Sequence, residues 1–220
     1  MVNPESVQEL LTSDNFGDRI KGLNQLRQLP PDVAFPLLQP LINDTNDRVR
    51  YAAVSQLDPL GKEDLGLALR LLRDRLLNDS ELDVKAAAAD AMGGLKLTEA
   101  YEDLQQVYEG TSDWVLQMSI VAALGELGDP RGFDLLQTAL NSDNGLLRTA
   151  AVSALGELGN PKAVSVLIPL VNDEDWQIRY RLAQALGRLG GQEAEIILNK
   201  LAEDAVEQVA QEATSYLKST

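Results

Sequence analysis

The stretch at residues 142–158, SDNGLLRTAAVSALGEL, decides the fold because the chain repeats it along its length. Residues 173–189, DEDWQIRYRLAQALGRL, carry the same polar start and the same spacing of apolar positions. Successive copies start 31, 35, 32, 31, 31 and 31 residues apart. A period of this length indicates an architecture of stacked repeats. The seven starting positions are Ser13, Asp44, Asp79, Thr111, Ser142, Asp173 and Asp204.

The sequence pattern of each repeat predicts two helices. In the fifth repeat the first helix is the amphipathic run GFDLLQTAL at residues 132–140, and Pro130 lies just before it, where a missing N–H is tolerated. We predict that the polar starting residue and its acidic neighbours cap the second helix. Gly128, Gly159 and Gly190 follow three of the second helices, as glycines that end helices do.

The second helix of each repeat has one continuous apolar face. In the fifth repeat, the positions five, nine and thirteen residues after the start are Leu147, Ala151 and Leu155. A single repeat cannot bury this face, whereas stacked repeats bury it continuously. The sequence therefore predicts an all-α, right-handed α-solenoid of about seven helical hairpins, in a single domain over residues 1–220. The 35-residue interval predicts a longer loop or a shift of the superhelix around residues 58–66.

Composition excludes several classes of function. The chain has 34 acidic and 19 basic side chains and a net charge of −15, which argues against nucleic acids and anionic membranes as partners. With no Cys and no His, it cannot form Cys/His zinc sites, disulfides or Ser-His-Asp triads. No glycine-rich phosphate loop is present. We predict no metal site and assign no catalytic residue, although paired Asp or Glu residues leave carboxylate-only catalysis open.

Nothing in the sequence predicts insertion into a membrane. The longest nearly apolar stretch, residues 163–171, is far shorter than the roughly 20 residues needed to cross a bilayer. The N-terminal residues have neither the basic patch nor the apolar run of a signal peptide. We therefore expect a cytoplasmic protein.

The repeats resemble HEAT repeats. The feature that carries this resemblance is an acidic residue followed six positions later by Arg, as in Asp44 with Arg50. In that family the pair forms a ladder of polar contacts between adjacent repeats. We interpret the Arg residues as ladder residues, and binding of an anion is the alternative. The equivalent positions in the other repeats are Arg19, Lys85, Gln117, Arg148, Arg179 and Ala210, of which Gln117 and Ala210 depart from the pattern.

Two sequence segments narrow the resemblance to a smaller group of HEAT-repeat proteins. GELGDPRG at residues 125–132 and GELGNPKA at 156–163 resemble the short HEAT-like units of the phycobilisome (phycocyanobilin) lyase family, cyanobacterial proteins that handle bilins on phycobiliproteins. Residues 15–29 and 47–56 are similar to the NblB-like members, which are implicated in phycobilisome disassembly and chromophore detachment. A sister group of cyanobacterial HEAT-repeat proteins, linked to iron–sulfur assembly partners, is the alternative.

The resemblance implies a protein that binds a phycobiliprotein, phycocyanin or allophycocyanin, in bilin detachment, phycobilisome degradation or bilin handling. It also implies non-covalent phycocyanobilin as a ligand, since no Cys is available to form a thioether. The residues by themselves favour a non-catalytic protein–protein interaction scaffold, for which an iron–sulfur assembly protein is an alternative partner. Lyase-like activity is a further alternative for the function.

Positions four, seven and eleven after each start point away from the buried face of the second helix. In the fourth and fifth repeats they are mainly apolar, and an exposed apolar patch usually marks an interface. Coverage of the patch by superhelix curvature or by a second copy is the alternative. The two Trp residues either plug the inter-helix loop or form the rim of the surface. The predicted binding surface, expected to be concave, comprises Arg48, Tyr51, Trp114, Val115, Met118, Leu146, Trp176 and Tyr180.

Overall fold

The computed structural model describes residues 2–218, which form helices and no β-strand. Short 3₁₀-helices in this part of the chain lie at Gln39–Asn43, Gly61–Glu63, Thr98–Ala100, Pro130–Gly132 and Ile168–Asn172. The α-helices are α1 Pro4–Leu11, α2 Phe16–Leu26, α3 Pro31–Leu38, α4 Asp47–Val54, α5 Leu57–Leu60, α6 Leu65–Asn78, α7 Leu82–Gly94, α8 Tyr101–Gly110, α9 Trp114–Leu127, α10 Phe133–Leu140, α11 Gly145–Leu158, α12 Ala163–Leu167, α13 Trp176–Leu189, α14 Gln192–Leu201 and α15 Glu207–Leu217.

These helices form the predicted hairpins, so the prediction of an all-α solenoid is confirmed. The second helices of the seven repeats are α2, α4, α7, α9, α11, α13 and α15. The extra chain predicted around residues 58–66 is the short helix α5 followed by the 3₁₀ turn Gly61–Glu63. Two compact units make up the chain, residues 1–111 and 112–220. The single domain over residues 1–220 stays a prediction.

In the N-terminal unit, the second helices α2, α4 and α7 pack against one another in chain order. The first helix α1 packs on α2 and α3, and α6 packs on α7 and α8. In the C-terminal unit, α9, α11, α13 and α15 form the same kind of row, with α10 against α11 and α14 against α13 and α15.

Two glycines set the close spacing of the second helices in the C-terminal unit. A Cβ added at Gly125 of α9 would lie 2.7 Å from the Cα of Ala154 in α11. A Cβ added at Gly156 of α11 would likewise lie 2.7 Å from the Cα of Ala185 in α13. Real Cβ atoms do not approach a backbone so closely, so only glycine permits this spacing.

The predicted apolar face is the core of the stack. The predicted positions five, nine and thirteen residues after the starts are buried, except Leu217, which is half-buried in α15. Close packing against the next repeat therefore replaces the large aromatic side chains that the composition lacks. The fully buried members are Leu26, Val49, Ala53, Leu57, Ala88, Met92, Ile120, Leu124, Ala151, Leu155, Ile178, Leu182, Leu186, Val209 and Ala213.

The prediction about capping is confirmed for acidic neighbours, since Asp113 caps α9 and Asp175 caps α13, but it was wrong for the starting residues, which lie two positions before the N-cap. The α11 N-cap is Asn144, whose side-chain oxygen accepts from the N–H groups of Leu146 and Leu147. The starting residue Ser142 instead accepts from the N–H of Asn144 through its Oγ. It therefore fixes the turn before the helix rather than the first helical turn. The predicted helix ends are confirmed, since Gly128 and Gly159 both adopt a left-handed conformation with φ near 71°.

Candidate functional site

The Arg residues six positions after the starts link consecutive repeats. Arg50 donates from Nε to Oδ2 of Asp79 at 2.8 Å and from Nη2 to Oδ1 at 2.9 Å. Its Nη1 donates to the backbone carbonyl of Asp44, the start of its own repeat, at 2.9 Å. Arg50 therefore joins the carbonyl of its own start to the carboxylate of the next start. Arg19 makes the same two contacts, with Ser13 and Asp44.

Asp79 is the most buried carboxylate of this ladder in the N-terminal unit. Burial raises its pKa, but hydrogen bonds from Arg50 and from the N–H of Glu81 outweigh burial and hold the pKa below its ordinary value. Arg75 adds a contact of 3.1 Å from Nη1 to Oδ2. Asp79 is therefore a charged structural group at neutral pH and is not a candidate acid or base.

In the C-terminal unit the ladder is complete at one step and incomplete at another. Arg179 donates to both oxygens of Asp204, at 2.6 and 2.9 Å, and to the carbonyl of Asp173 at 2.6 Å. Arg148 donates to the carbonyl of Ser142 at 3.1 Å, and within residues 2–218 it forms no ion pair with Asp173. The interpretation as ladder residues is confirmed for Arg19, Arg50 and Arg179, whose guanidinium groups are engaged in these contacts.

The first turns of three neighbouring second helices carry exposed apolar side chains. Trp114 and Val115 open α9 and are 42% and 38% exposed, and Leu146 in α11 is 53% exposed. Trp176 opens α13 and is 42% exposed. Helix α11 packs against both α9 and α13, and the close contacts of Gly125 with Ala154 and of Gly156 with Ala185 join the C-terminal ends of these helices, so the first turns lie at the same end of the row. The two Trp residues are not buried plugs, so that alternative was wrong.

We call the positions three, four, seven, eight and eleven residues after the starts of the fourth to seventh repeats the second-helix face; they lie on α9, α11, α13 and α15. At these positions α9 and α11 carry no charged side chain. The charged side chains of the face are Arg181 on α13 and Glu207 and Glu212 on α15. A chain with 24% charged residues therefore has an uncharged surface over two adjacent helices.

Two of the predicted binding residues are less accessible than expected. Met118 on α9 and Tyr180 on α13 are half-buried rather than exposed. The Tyr180 hydroxyl donates to Oε2 of Glu212 at 3.1 Å. Burial raises the pKa of Tyr180, and the hydrogen bond and charge of Glu212 raise it further. These two side chains are therefore less accessible to a partner than the exposed first-turn residues.

The N-terminal unit has its own exposed residues on the corresponding positions. The predicted residues Arg48 and Tyr51 are both exposed on α4. Phe16 on α2 and Leu82 on α7 are also exposed, and the sequence interpretation missed them. Both lie three residues after a start, as Trp114 and Trp176 do. That shared position was the signal that could have found them.

The grouping of carboxylates and the volume of one cavity bear on whether the described residues could hold a metal ion or a small ligand. Within residues 2–218, no three Asp or Glu side chains are grouped so that they could hold a metal ion. A cavity of about 300 Å³ lies between the ends of α13, α14 and α15, lined in part by Leu186, Leu198 and Tyr216. This volume is at the lower end of the range for small-molecule sites, roughly 300–1,000 Å³. In the same part of the chain, no helix combines the length and the apolar character needed to span a membrane.

Comparison with protein families gives one match. The family model described as HEAT repeats matches residues 4–93, 69–155 and 134–218. These three matches together cover nearly the whole chain. No curated protein matches it.

Several solved structures share the fold. A chain from the complex of CpcE and CpcF of phycocyanin lyase from Nostoc sp. PCC7120 is 19% identical, with a TM-score of 0.66 over 100% of this chain and 95% of that one. An engineered protein is 19% identical, with a TM-score of 0.63 over 99% of this chain and 68% of that one. Escherichia coli YibA is 17% identical, with a TM-score of 0.60 over 100% and 93%. At these identities the likeness concerns the fold alone.

Proposed function

This chain belongs to the HEAT-repeat family, and we propose that it is a binding protein that holds a protein partner on the second-helix face of its C-terminal unit. The observation that carries this proposal is the row of exposed apolar side chains at the first turns of α9, α11 and α13. Leaving such side chains in water forgoes about 25 cal/mol for each Å² that a partner would bury. Grouped apolar exposure of this kind is typical of interaction sites.

The uncharged character of α9 and α11 supports the same role. Interface centres are depleted in charged residues, whereas surfaces that only face solvent are not. Trp residues are frequent among the side chains that dominate binding energy, because they bury a large area and lose little conformational freedom. Trp114 and Trp176 hold equivalent positions on α9 and α13, on either side of Leu146 in chain order. They are the proposed anchors of the interface.

We further propose that the partner is a phycobiliprotein, phycocyanin or allophycocyanin, and that the protein handles bilins or dismantles phycobilisomes in the cyanobacterial cytoplasm. The support is the likeness of residues 125–132 and 156–163 to the phycobilisome lyase family. The fold shared with a chain of the phycocyanin lyase complex is compatible with this proposal. Phycocyanobilin would lie non-covalently against the exposed indole rings, which offer flat apolar surfaces to a conjugated tetrapyrrole.

A double charge substitution tests the interface. The variant that combines Val115→Glu with Leu146→Glu places two carboxylates on exposed positions without disturbing the core. We expect co-purification with phycocyanin to be lost while the helical circular dichroism is unchanged. Ile196→Glu is the matched control, because Ile196 is 61% exposed on α14, a first helix. Phycocyanin binding retained by the folded double variant would refute the proposed surface.

The bilin is tested separately from the protein partner. Mixing the purified protein with phycocyanobilin should change the visible absorbance spectrum and quench the Trp fluorescence. Trp114→Leu combined with Trp176→Leu should abolish both changes if the indole rings hold the chromophore. Unchanged spectra of the wild-type protein, together with retained phycocyanin binding, would leave a binding protein that does not handle the bilin.

A further inference from the structure

A half-buried carboxylate on the second-helix face lacks a cationic partner. Glu212 of α15 accepts from the Tyr180 hydroxyl at 3.1 Å and from Nε2 of Gln184 at 3.0 Å, both on α13. Among residues 2–218, Glu212 forms no ion pair with a Lys or Arg. The ladder carboxylates of Asp44, Asp79 and Asp204, which are also largely removed from water, are each paired with an Arg.

Two phenol rings stand next to this carboxylate. Burial raises the pKa of Tyr216, and the nearby Glu212 carboxylate adds to this effect. The Tyr216 ring packs against Gly187 of α13, where any Cβ would overlap the ring. The guanidinium carbon of Arg181 lies 5.9 Å from the centre of the Tyr180 ring, within the range of a cation–π contact. The surroundings of Glu212 are thus already compatible with a guanidinium group.

Neutral donors orient the Glu212 carboxylate, and the nearby Arg181 and Arg188 do not contact it, since Arg181 donates to Oε1 of Gln184 at 2.8 Å and Arg188 pairs with Glu157 at 2.9 Å. A carboxylate that is partly removed from water attracts a cation more strongly than an exposed one, because solvent screens it less. Charge-assisted hydrogen bonds from a guanidinium or ammonium group are roughly twice as strong as those from neutral donors. The aromatic rings add cation–π attraction. The net charge of −15 favours the approach of a basic partner over an acidic one.

We infer that Glu212, with Tyr180 and Tyr216 beside it, is a receptor site for one basic side chain, Arg or Lys, of the protein partner. The inference rests on the proposed function, because it names a side chain that the partner presents. The partner segment would place apolar residues along α9 and α11 and its basic residue at α13 and α15. Arg181 opposes this cation by charge repulsion, so it limits the affinity of the site.

A partner-free titration tests the site. The probe is N-acetyl-arginine methylamide, and the control is the citrulline compound, which has the same shape without the charge. Nuclear magnetic resonance spectra should show saturable shifts of the Gln184 side-chain amide and of the Glu212 and Tyr216 backbone signals with the arginine probe. Binding of the citrulline compound should be about tenfold weaker, since it lacks the charge-assisted bond. Equal shifts with the two compounds, or none with arginine, would overturn the inference.

Three substitutions separate a cation site from a purely structural link between α13 and α15. Glu212→Gln should abolish saturable binding of the arginine probe, and Arg181→Gln should strengthen it by about two- to threefold by removing a repulsive charge. Tyr180→Phe removes one hydrogen bond but keeps the carboxylate, so it should retain binding even if Glu212→Gln unfolds. A site for anions would give the reverse pattern, with Arg181→Gln weakening the binding of N-acetyl-glutamate methylamide.

Failure of this inference can be told apart from failure of the proposed function. The Val115→Glu and Leu146→Glu double variant should lose phycocyanin and still bind the arginine probe. If wild-type protein binds phycocyanin but not the probe, the cation site is wrong and the apolar face stands. If the probe binds and phycocyanin does not, the identity of the partner is wrong and the cation site stands.

Discussion

Arg179 and Arg148 occupy the same position in consecutive repeats, yet replacing each with Ala should have different effects on stability. Arg179 bridges the carbonyl of Asp173 and both carboxylate oxygens of Asp204. Among residues 2–218, Arg148 donates only to the carbonyl of Ser142. We therefore expect Arg179→Ala to lower the free energy of unfolding much more than Arg148→Ala does, even though both substitutions remove the same atoms.

The size of each loss in unfolding free energy depends on which groups the substitution leaves without a hydrogen-bond partner. Without Arg179, the Asp204 carboxylate is largely buried and keeps only the hydrogen bond from the N–H of Val206. Leaving a buried charged group under-satisfied costs roughly 2–4 kcal/mol, whereas losing the one bond of Arg148 costs about 1 kcal/mol. The difference of about 2 kcal/mol corresponds to roughly 4–8 °C in Tm for a chain of this length. Phycocyanin binding should change much less than stability in both variants.

Urea unfolding followed by circular dichroism measures the difference, and pH supplies an internal check. The hydrogen bond from Arg179 holds the pKa of Asp204 below its ordinary value of 3.8. This stabilisation is present above pH 3.8 and is lost as the pH falls through the lower value in the folded protein. The gap between wild type and Arg179→Ala should narrow in that window, while the gap for Arg148→Ala stays constant. Equal losses for the two variants at pH 7 would refute the reasoning.

Two further predictions concern packing and exposure. Gly156→Ala should destabilise the protein by roughly 1–3 kcal/mol, because its Cβ would meet the Ala185 backbone, whereas Gly145→Ala, in the open first turn of α11, should be close to neutral in the same urea assay. Acrylamide should quench the fluorescence of Trp114 and Trp176 readily, and bound phycocyanin should protect both from it. If phycocyanin leaves the acrylamide quenching of both Trp residues unchanged, the indole rings lie outside the interface.

The sequence predicted the core well because a single helical period, repeated seven times, specifies which side chains face the next repeat. Positions such as Leu147, Ala151 and Leu155 are buried as that period requires. The ladder Arg residues were also identified, but the sequence pairs Arg50 with Asp44 in the same repeat. In the structure Arg50 takes the carbonyl of Asp44 and the carboxylate of Asp79, a choice that depends on the spacing between repeats and not on the period within one.

The exposure of the candidate binding residues was harder to predict from the sequence, because it too depends on the packing between repeats. The angular position of Met118 on α9 indicates exposure, because a single helix has no neighbours. In the stack, α9 packs closely against α11, as Gly125 and Ala154 show, and Met118 is half-buried. First-turn positions such as Val115 and Leu146 lie beyond that contact and stay exposed. Inter-helix distance, which one helical period does not contain, therefore decides which face residues a partner can reach.

The first turns of the second helices have a structural role as well as the proposed binding role. In α13, Asp173 fixes the turn before the helix by accepting from the N–H of Asp175, and Arg179 ties its carbonyl to the next repeat. Trp176 lies between these two anchored positions, on a backbone held by hydrogen bonds at each side. A side chain presented on a rigid backbone loses less conformational entropy on binding than one on a mobile loop. Loss of the Arg179 bridge should therefore weaken binding through Trp176 only indirectly, by loosening the turn that presents it.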